Sequence, residues 1–123
     1  MSTDGTHLPL DGRAVLIAED NFAIADDLRR AFAGLGAFVV GPVPDLGRAL
    51  HIARTEDQLD GAVLDINLRG LLVFPVAEIL CARGIRFVFA TGYDQTMVPA
   101  GFRHVPRCEK PIDPVRVALA LFN

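Results

Sequence analysis

An alternation of two hydrophobic periods most constrains what this chain can fold into. Short β-rich runs occur at residues 14–18 (AVLIA), 37–41 (AFVVG), 62–66 (AVLDI), 86–90 (RFVFA) and 104–108 (HVPRC). Between them, apolar residues recur at helical spacing. One face carries Ala25, Leu28, Phe32 and Leu35, a second Leu46, Ala49, Leu50 and Ala53, and a third Val73, Val76, Ala77 and Leu80. Val115, Ala118, Leu119 and Phe122 define a final face, leaving Val117 and Leu121 as extra apolar positions for a partner surface. The segment YDQTMVPAGF contains Pro99 and Gly101 and has no long apolar stripe, so a helix there is expected to be short or irregular. Continuous apolar strands separated by helices predict an α/β fold: a doubly wound, five-stranded parallel sheet with helices on both faces.

At 123 residues, with 51% hydrophobic and 22% charged side chains, the chain suits one domain with a single core. Residues 1–12 (MSTDGTHLPLDG) are polar and lack the apolar stretch of a secretory signal, so they are expected to form a flexible arm before a domain at 13–123. A net charge of −3 argues against a broad basic surface for nucleic acid. The longest uncharged stretch, Ala31 to Pro44, is too short for a membrane span and is broken by glycine and proline. A cytoplasmic protein is expected, with Cys81 and Cys108 as buried free thiols and His7, His51 and His104 scattered on the surface.

In doubly wound sheets, ligands sit at the carboxyl ends of the strands. Here those ends carry EDN, DIN, TGY and EKP, which should bring Glu19, Asp20, Asp65, Thr91 and Lys110 to one edge. Asp65 lies in VLDIN, and a buried carboxylate is costly unless something compensates it. Converging carboxylates also repel one another. Oxygen ligands without nearby histidine or cysteine favour a hard cation, and an incomplete protein shell favours Mg2+ over Ca2+. Lys110 adds a movable positive charge and Thr91 a hydroxyl donor. Together these groups suit phosphoryl transfer to Asp65 as nucleophile. Taken singly, Glu19 and Asp20 could cap the first helix, and Thr91-Gly92 or Lys110-Pro111 could be ordinary turns; their combination favours the site.

The order Glu19-Asp20, Asp65, Thr91, Lys110-Pro111 on a five-stranded alternating pattern resembles the receiver domain of two-component response regulators. The resemblance implies that Asp65 is the phosphoacceptor and that Glu19 and Asp20 are the acidic metal pair. It also implies that Asn67 lends its backbone carbonyl to Mg2+, that Thr91 and Lys110 contact the phosphoryl oxygens, and that the Lys110–Pro111 bond is cis. The stretch FVFATGYD, followed by VPAGF and KPI, is similar to the alphaproteobacterial single-domain receivers with a FATG-type signature. Those proteins act as free-standing phosphoryl carriers or modulators, so a histidine kinase or histidine phosphotransfer protein and a downstream protein partner are expected. No enzymatic activity is expected beyond the domain's own phosphorylation and dephosphorylation. The end of the chain after the last helix fits a free-standing role, and a receiver cut from a hybrid kinase would look similar. One departure from the family is Arg107, which stands where a signalling aromatic is usual, three residues before Lys110. Tyr93, two residues after Thr91, is the candidate to take over part of that switch.

Other classes fit less well. A haloacid dehalogenase-type phosphatase places D-x-D after its first strand, whereas DIN here follows the third. A flavodoxin-like flavin carrier needs a Ser/Thr-rich phosphate loop where this chain has two acids. A pseudo-receiver that binds without being phosphorylated has the same residues and is separated only by experiment.

Overall fold

In chain order, the computed structural model contains β1 (Ala14–Ala18), α1 (Phe22–Gly34), β2 (Phe38–Val43), α2 (Leu46–Thr55), β3 (Gly61–Asp65), β4 (Asn67–Leu68), β5 (Leu71–Leu72), α3 (Phe74–Arg83), β6 (Arg86–Thr91), a 3-10 turn at Ala100–Phe102, β7 (Arg107–Glu109) and α4 (Pro114–Phe122). It describes residues 8–92 and 98–122. Five strands form one parallel sheet in the order β2-β1-β3-β6-β7, the doubly wound arrangement of the flavodoxin-like fold. The central strands β1 and β3 are buried at every position.

Alternation along each strand sends successive side chains to opposite faces. Val15, Ile17, Val63, Val88 and Ala90 pack with Leu28 and Phe32 of α1 and Val117, Ala118 and Leu121 of α4. Leu16, Ala18, Ala62, Leu64, Phe87 and Phe89 pack on the other face with α2, α3 and Phe102. Helix starts are set locally: Asn21 Oδ1 accepts the Ile24 N–H at the start of α1, and Asp45 Oδ1 accepts the Arg48 N–H at the start of α2.

Several expectations are corrected. Residues 8–12 are anchored rather than loose, because Leu10 is fully buried and its N–H donates to Leu35 O at 2.9 Å; residues 1–7, with His7, lie outside the described residues. The last helix turns a different face inward. Val117 and Leu121, expected as a partner surface, are buried, whereas Val115 and Leu119 are 47% and 50% exposed. In PVRVALALF nearly every position is apolar, so periodicity alone does not select the phase. Cys81 is exposed and Cys108 half-buried; both are free thiols, and burial pushes the Cys108 pKa up. β2 is an edge strand that runs on to Val43 through a cis Gly41–Pro42 bond, a proline position that edges tolerate.

Of the segment expected to hold a short or irregular helix, residues 93–97 lie outside the described residues, and in the rest the regular structure is the single turn Ala100–Phe102. A hairpin after Asp65 was not anticipated. β4 and β5 pair antiparallel around Arg69 and Gly70, whose φ angles of 52° and 87° have the signs required by a two-residue type I′ turn. Arg-Gly is a weaker signal for that turn than Asn-Gly or Asp-Gly, and each strand has only two residues.

Candidate functional site

Three strand ends converge on one ion cluster. Glu19 follows β1, and its N–H continues the ladder to Val43 O at 3.0 Å. Asp65 ends β3 opposite Ala90 of β6. Lys110 follows β7, held by its N–H to Thr91 O at 2.9 Å and continuing into a cis Lys110–Pro111 bond, as expected. Its Nζ reaches back to the acids, 2.8 Å from Glu19 Oε1 and 2.9 Å from Asp65 Oδ2.

Carboxylate oxygens of Glu19, Asp20 and Asp65 lie within 4.8 Å of one another. Each of these groups is held by a backbone donor: Asn21 N–H to Glu19 Oε2 at 3.0 Å, Arg69 N–H to Asp20 Oδ2 at 2.9 Å, and Asn67 N–H to Asp65 Oδ1 at 3.2 Å. Glu19 and Asp65 are only 3% and 6% exposed. Lys110 makes a hydrogen bond to Asp65, but its close approach to Glu19 Oε1 is an ion-pair contact outside hydrogen-bond angles. That buried oxygen therefore has no directed donor among the described residues.

Charge explains the titration of the cluster. Burial first, then the neighbouring Asp65 carboxylate, pushes Glu19 up to about 7 against the pull of Lys110. Burial would also raise Asp20, but the Arg69 N–H and other donors outweigh it and hold this carboxyl below its ordinary value. Burial disfavours the charged form of Lys110; the two carboxylates prevail and raise its pKa. With all three carboxylates ionised, the cluster and its one ammonium carry two net negative charges, matching a divalent ion. The incompletely satisfied Glu19 oxygen and the all-oxygen set are compatible with Mg2+.

Thr91 closes β6 one residue beyond the partner of Asp65, on the strand face shared with Phe87 and Phe89. Arg107 opens β7, opposite Phe89, and is exposed, away from the acid cluster. Tyr93 lies outside the described residues. Beside the cluster, a cleft of about 280 Å³ is bordered by Glu19, Asp20, Phe22, Asp26, Arg29 and Arg69. Sequence reasoning missed Arg69 as a neighbour of the acids, since its role runs through a backbone amide in a turn rather than a recognisable side-chain motif.

The solution structure of SdrG from Sphingomonas melonis Fr1 matches with a TM-score of 0.71 at 30% identity, covering 94% of this chain and 98% of that one. The BeF3-activated conformation of SdrG, from Pseudomonas melonis Fr1, gives a TM-score of 0.71 at 39% identity, with 94% and 97% covered. A CheY-like response regulator receiver domain from Methylobacillus flagellatus matches at 25% identity and a TM-score of 0.71, over 84% of this chain and 90% of that one. No protein-family model matches the chain, and a search of curated proteins finds no match either. Fold and comparisons define a flavodoxin-like signalling domain; the chain belongs to the response regulator receiver family.

Proposed function

We propose that this receiver domain takes a phosphoryl group from a histidine kinase or histidine phosphotransfer protein onto Asp65, in a Mg2+-dependent reaction in the cytoplasm, and signals by contact with a downstream protein. The observation that carries this reading is the Lys110 ammonium bridging Asp65 and a buried, incompletely satisfied Glu19. The similarity to SdrG, whose chain is covered almost completely, supports the receiver role itself.

In this reading an Asp65 oxygen attacks phosphorus, forming a P–O bond as the P–N bond to the donor imidazole breaks. The bound divalent ion would be held by Glu19, Asp20, Asp65 and the Asn67 carbonyl, and would supply charge neutralisation for the phosphoryl oxygens. Lys110 Nζ, already within reach of Asp65, follows the negative charge onto the phosphoryl group, and the Thr91 hydroxyl donates to a second oxygen. The domain's chemistry is confined to its own phosphorylation and dephosphorylation. Intact-mass spectrometry after acetyl phosphate treatment tests this: one phosphoryl group should appear with Mg2+, but not with chelator or in Asp65→Asn. An undiminished mass increase in Asp65→Asn would sink the assignment.

A further inference from the structure

We propose that the β4–β5 hairpin is a positioning element for the acidic cluster, so that closure of its Arg69–Gly70 turn and divalent-cation binding reinforce each other. This inference rests on the proposed function.

Two of the three carboxylates are held by amides of this one hairpin: Asp65 by Asn67 N–H and Asp20 by Arg69 N–H. The donors reach different strands, so the hairpin sets the angle between carboxylates that come from β1 and β3. Both contacts use one carboxylate oxygen, Asp20 Oδ2 and Asp65 Oδ1; Asp65 Oδ2 also accepts from Lys110, whereas the ionised Asp20 carboxylate keeps acceptor capacity on its other oxygen. Amide and cation therefore share Asp20 rather than compete for it, the usual relation between a ligand and the group that orients it.

The hairpin is also built to be sensitive. It has two pairs of residues, and a hairpin of that size is marginal unless something else holds it closed. Its holding contacts are the Val73 N–H to Ile66 O at 2.8 Å, the Gly70 N–H to Asn67 Oδ1 at 2.7 Å, and buried Leu68. Arg69 is the one non-glycine among the described residues with positive φ, a conformation that persists only where its surroundings hold it. Because coupling is reciprocal, a cation that requires Asp20 in its held orientation must stabilise the turn, and opening the turn must weaken the cation.

Gly70→Val tests this without touching a proposed ligand. A β-branched residue is strained at φ 87°, while among the described residues beyond its chain neighbours nothing lies within 4 Å of a Cβ placed there, so the change acts through the backbone rather than through a clash. Mg2+ titration of the full chain by calorimetry should give an affinity roughly tenfold weaker in Gly70→Val. Arg69→Gly, which keeps the amide and removes the guanidinium, should stay within about twofold of wild type. In the wild-type chain, Mg2+ should slow amide exchange at Arg69 and Gly70, a readout independent of any variant and of phosphorylation. Equal Mg2+ affinity in wild type and Gly70→Val, or exchange at these amides unchanged by Mg2+, would overturn the inference and leave the functional reading standing. A wild-type chain that takes up no Mg2+ would overturn both.

Discussion

Lys110→Ala removes the ammonium that stands 2.8 Å from Glu19 and 2.9 Å from Asp65 and leaves two buried carboxylates facing each other. Breaking a buried pair by deleting one partner costs about 3–5 kcal/mol. The Lys110 side chain keeps 20% of its exposure, so water screens part of the interaction and roughly 2–3 kcal/mol is the better expectation. The chain has one escape, which is to protonate Glu19. That group already titrates near 7, and losing Lys110 moves it further up. At pH 6 the variant therefore binds a proton at little cost. Above pH 7 wild type ionises Glu19 against Lys110 while the variant must keep it protonated or leave it unpaired, so the penalty grows by up to about 1.4 kcal/mol per pH unit and is larger at pH 8 than at pH 6.

For a domain of this length, 1 kcal/mol corresponds to a shift of about 3–5 °C, so thermal unfolding in chelator should fall by about 10 °C at pH 8 and by clearly less at pH 6. Saturating Mg2+ should recover most of the loss, because the cation supplies the charge the ammonium provided and stabilises the folded state by mass action. Circular dichroism melts at the two pH values, with chelator and with Mg2+, read all three effects. A loss equal at both pH values and untouched by Mg2+ would refute this electrostatic account and make Lys110 a packing residue.

Glu19 should make the cation-free chain less stable as pH rises. Its folded pKa is raised from 4.5 to about 7, so its contribution is fully present below 4.5 and is lost through 7, by up to roughly 3 kcal/mol. Chemical denaturation of Glu19→Gln in chelator should lack this decline; a slope equal to wild type would assign it to other groups. In α4, Leu121→Ala should cost about 2–5 kcal/mol and Leu119→Ala no more than about 0.5, measured by urea titration, and comparable losses would contradict the inward face assigned here. Light scattering with Mg2+ and beryllofluoride should find the activated chain monomeric, since exposed Arg107 stands where the family's signalling aromatic is usual; a dimer lost on altering Arg107 would refute this.

The sheet and the acid cluster were legible because each is written locally. Apolar runs identify buried parallel strands without knowledge of their neighbours, and the strand-end rule then gathers Glu19, Asp20, Asp65, Thr91 and Lys110 from positions far apart in the chain. What escaped depends on contacts that periodicity does not encode. In α4 the choice between Val117 with Leu121 and Val115 with Leu119 is made by fit against Val15, Val63 and Val88. The hairpin escaped because its register rests on two positive φ angles and on a hydrogen bond to an aspartate 49 residues away. Leu10 looked like part of a polar arm because the core cluster and the Leu35 carbonyl that anchor it are supplied by the rest of the fold.

The β6 face carrying Phe87 and Phe89 needs cover to stay dry, and among the described residues between β6 and β7 the only regular element is the 3-10 turn Ala100–Phe102. Phe102, on the 3-10 turn, supplies that cover by stacking on Phe74 of α3 at 5.9 Å and meeting Phe89 and Phe87 edge-on at 6.1 and 6.2 Å. Phe74 completes the group edge-on to Phe89 at 5.7 Å. Large rings bury much area per residue and favour these edge-to-face geometries, so one turn bearing one phenylalanine can seal what several helical side chains would otherwise cover. The seal is continuous with the site, because alternation places Thr91 on the same strand face as Phe89 and Phe87. A close-packed aromatic group accommodates a displaced neighbour by shifting as a unit rather than by local give. In the proposed reaction, movement of Thr91 toward a phosphoryl group would act along this strand face on Phe89 and Phe102, which would couple the site to the Ala100–Phe102 turn.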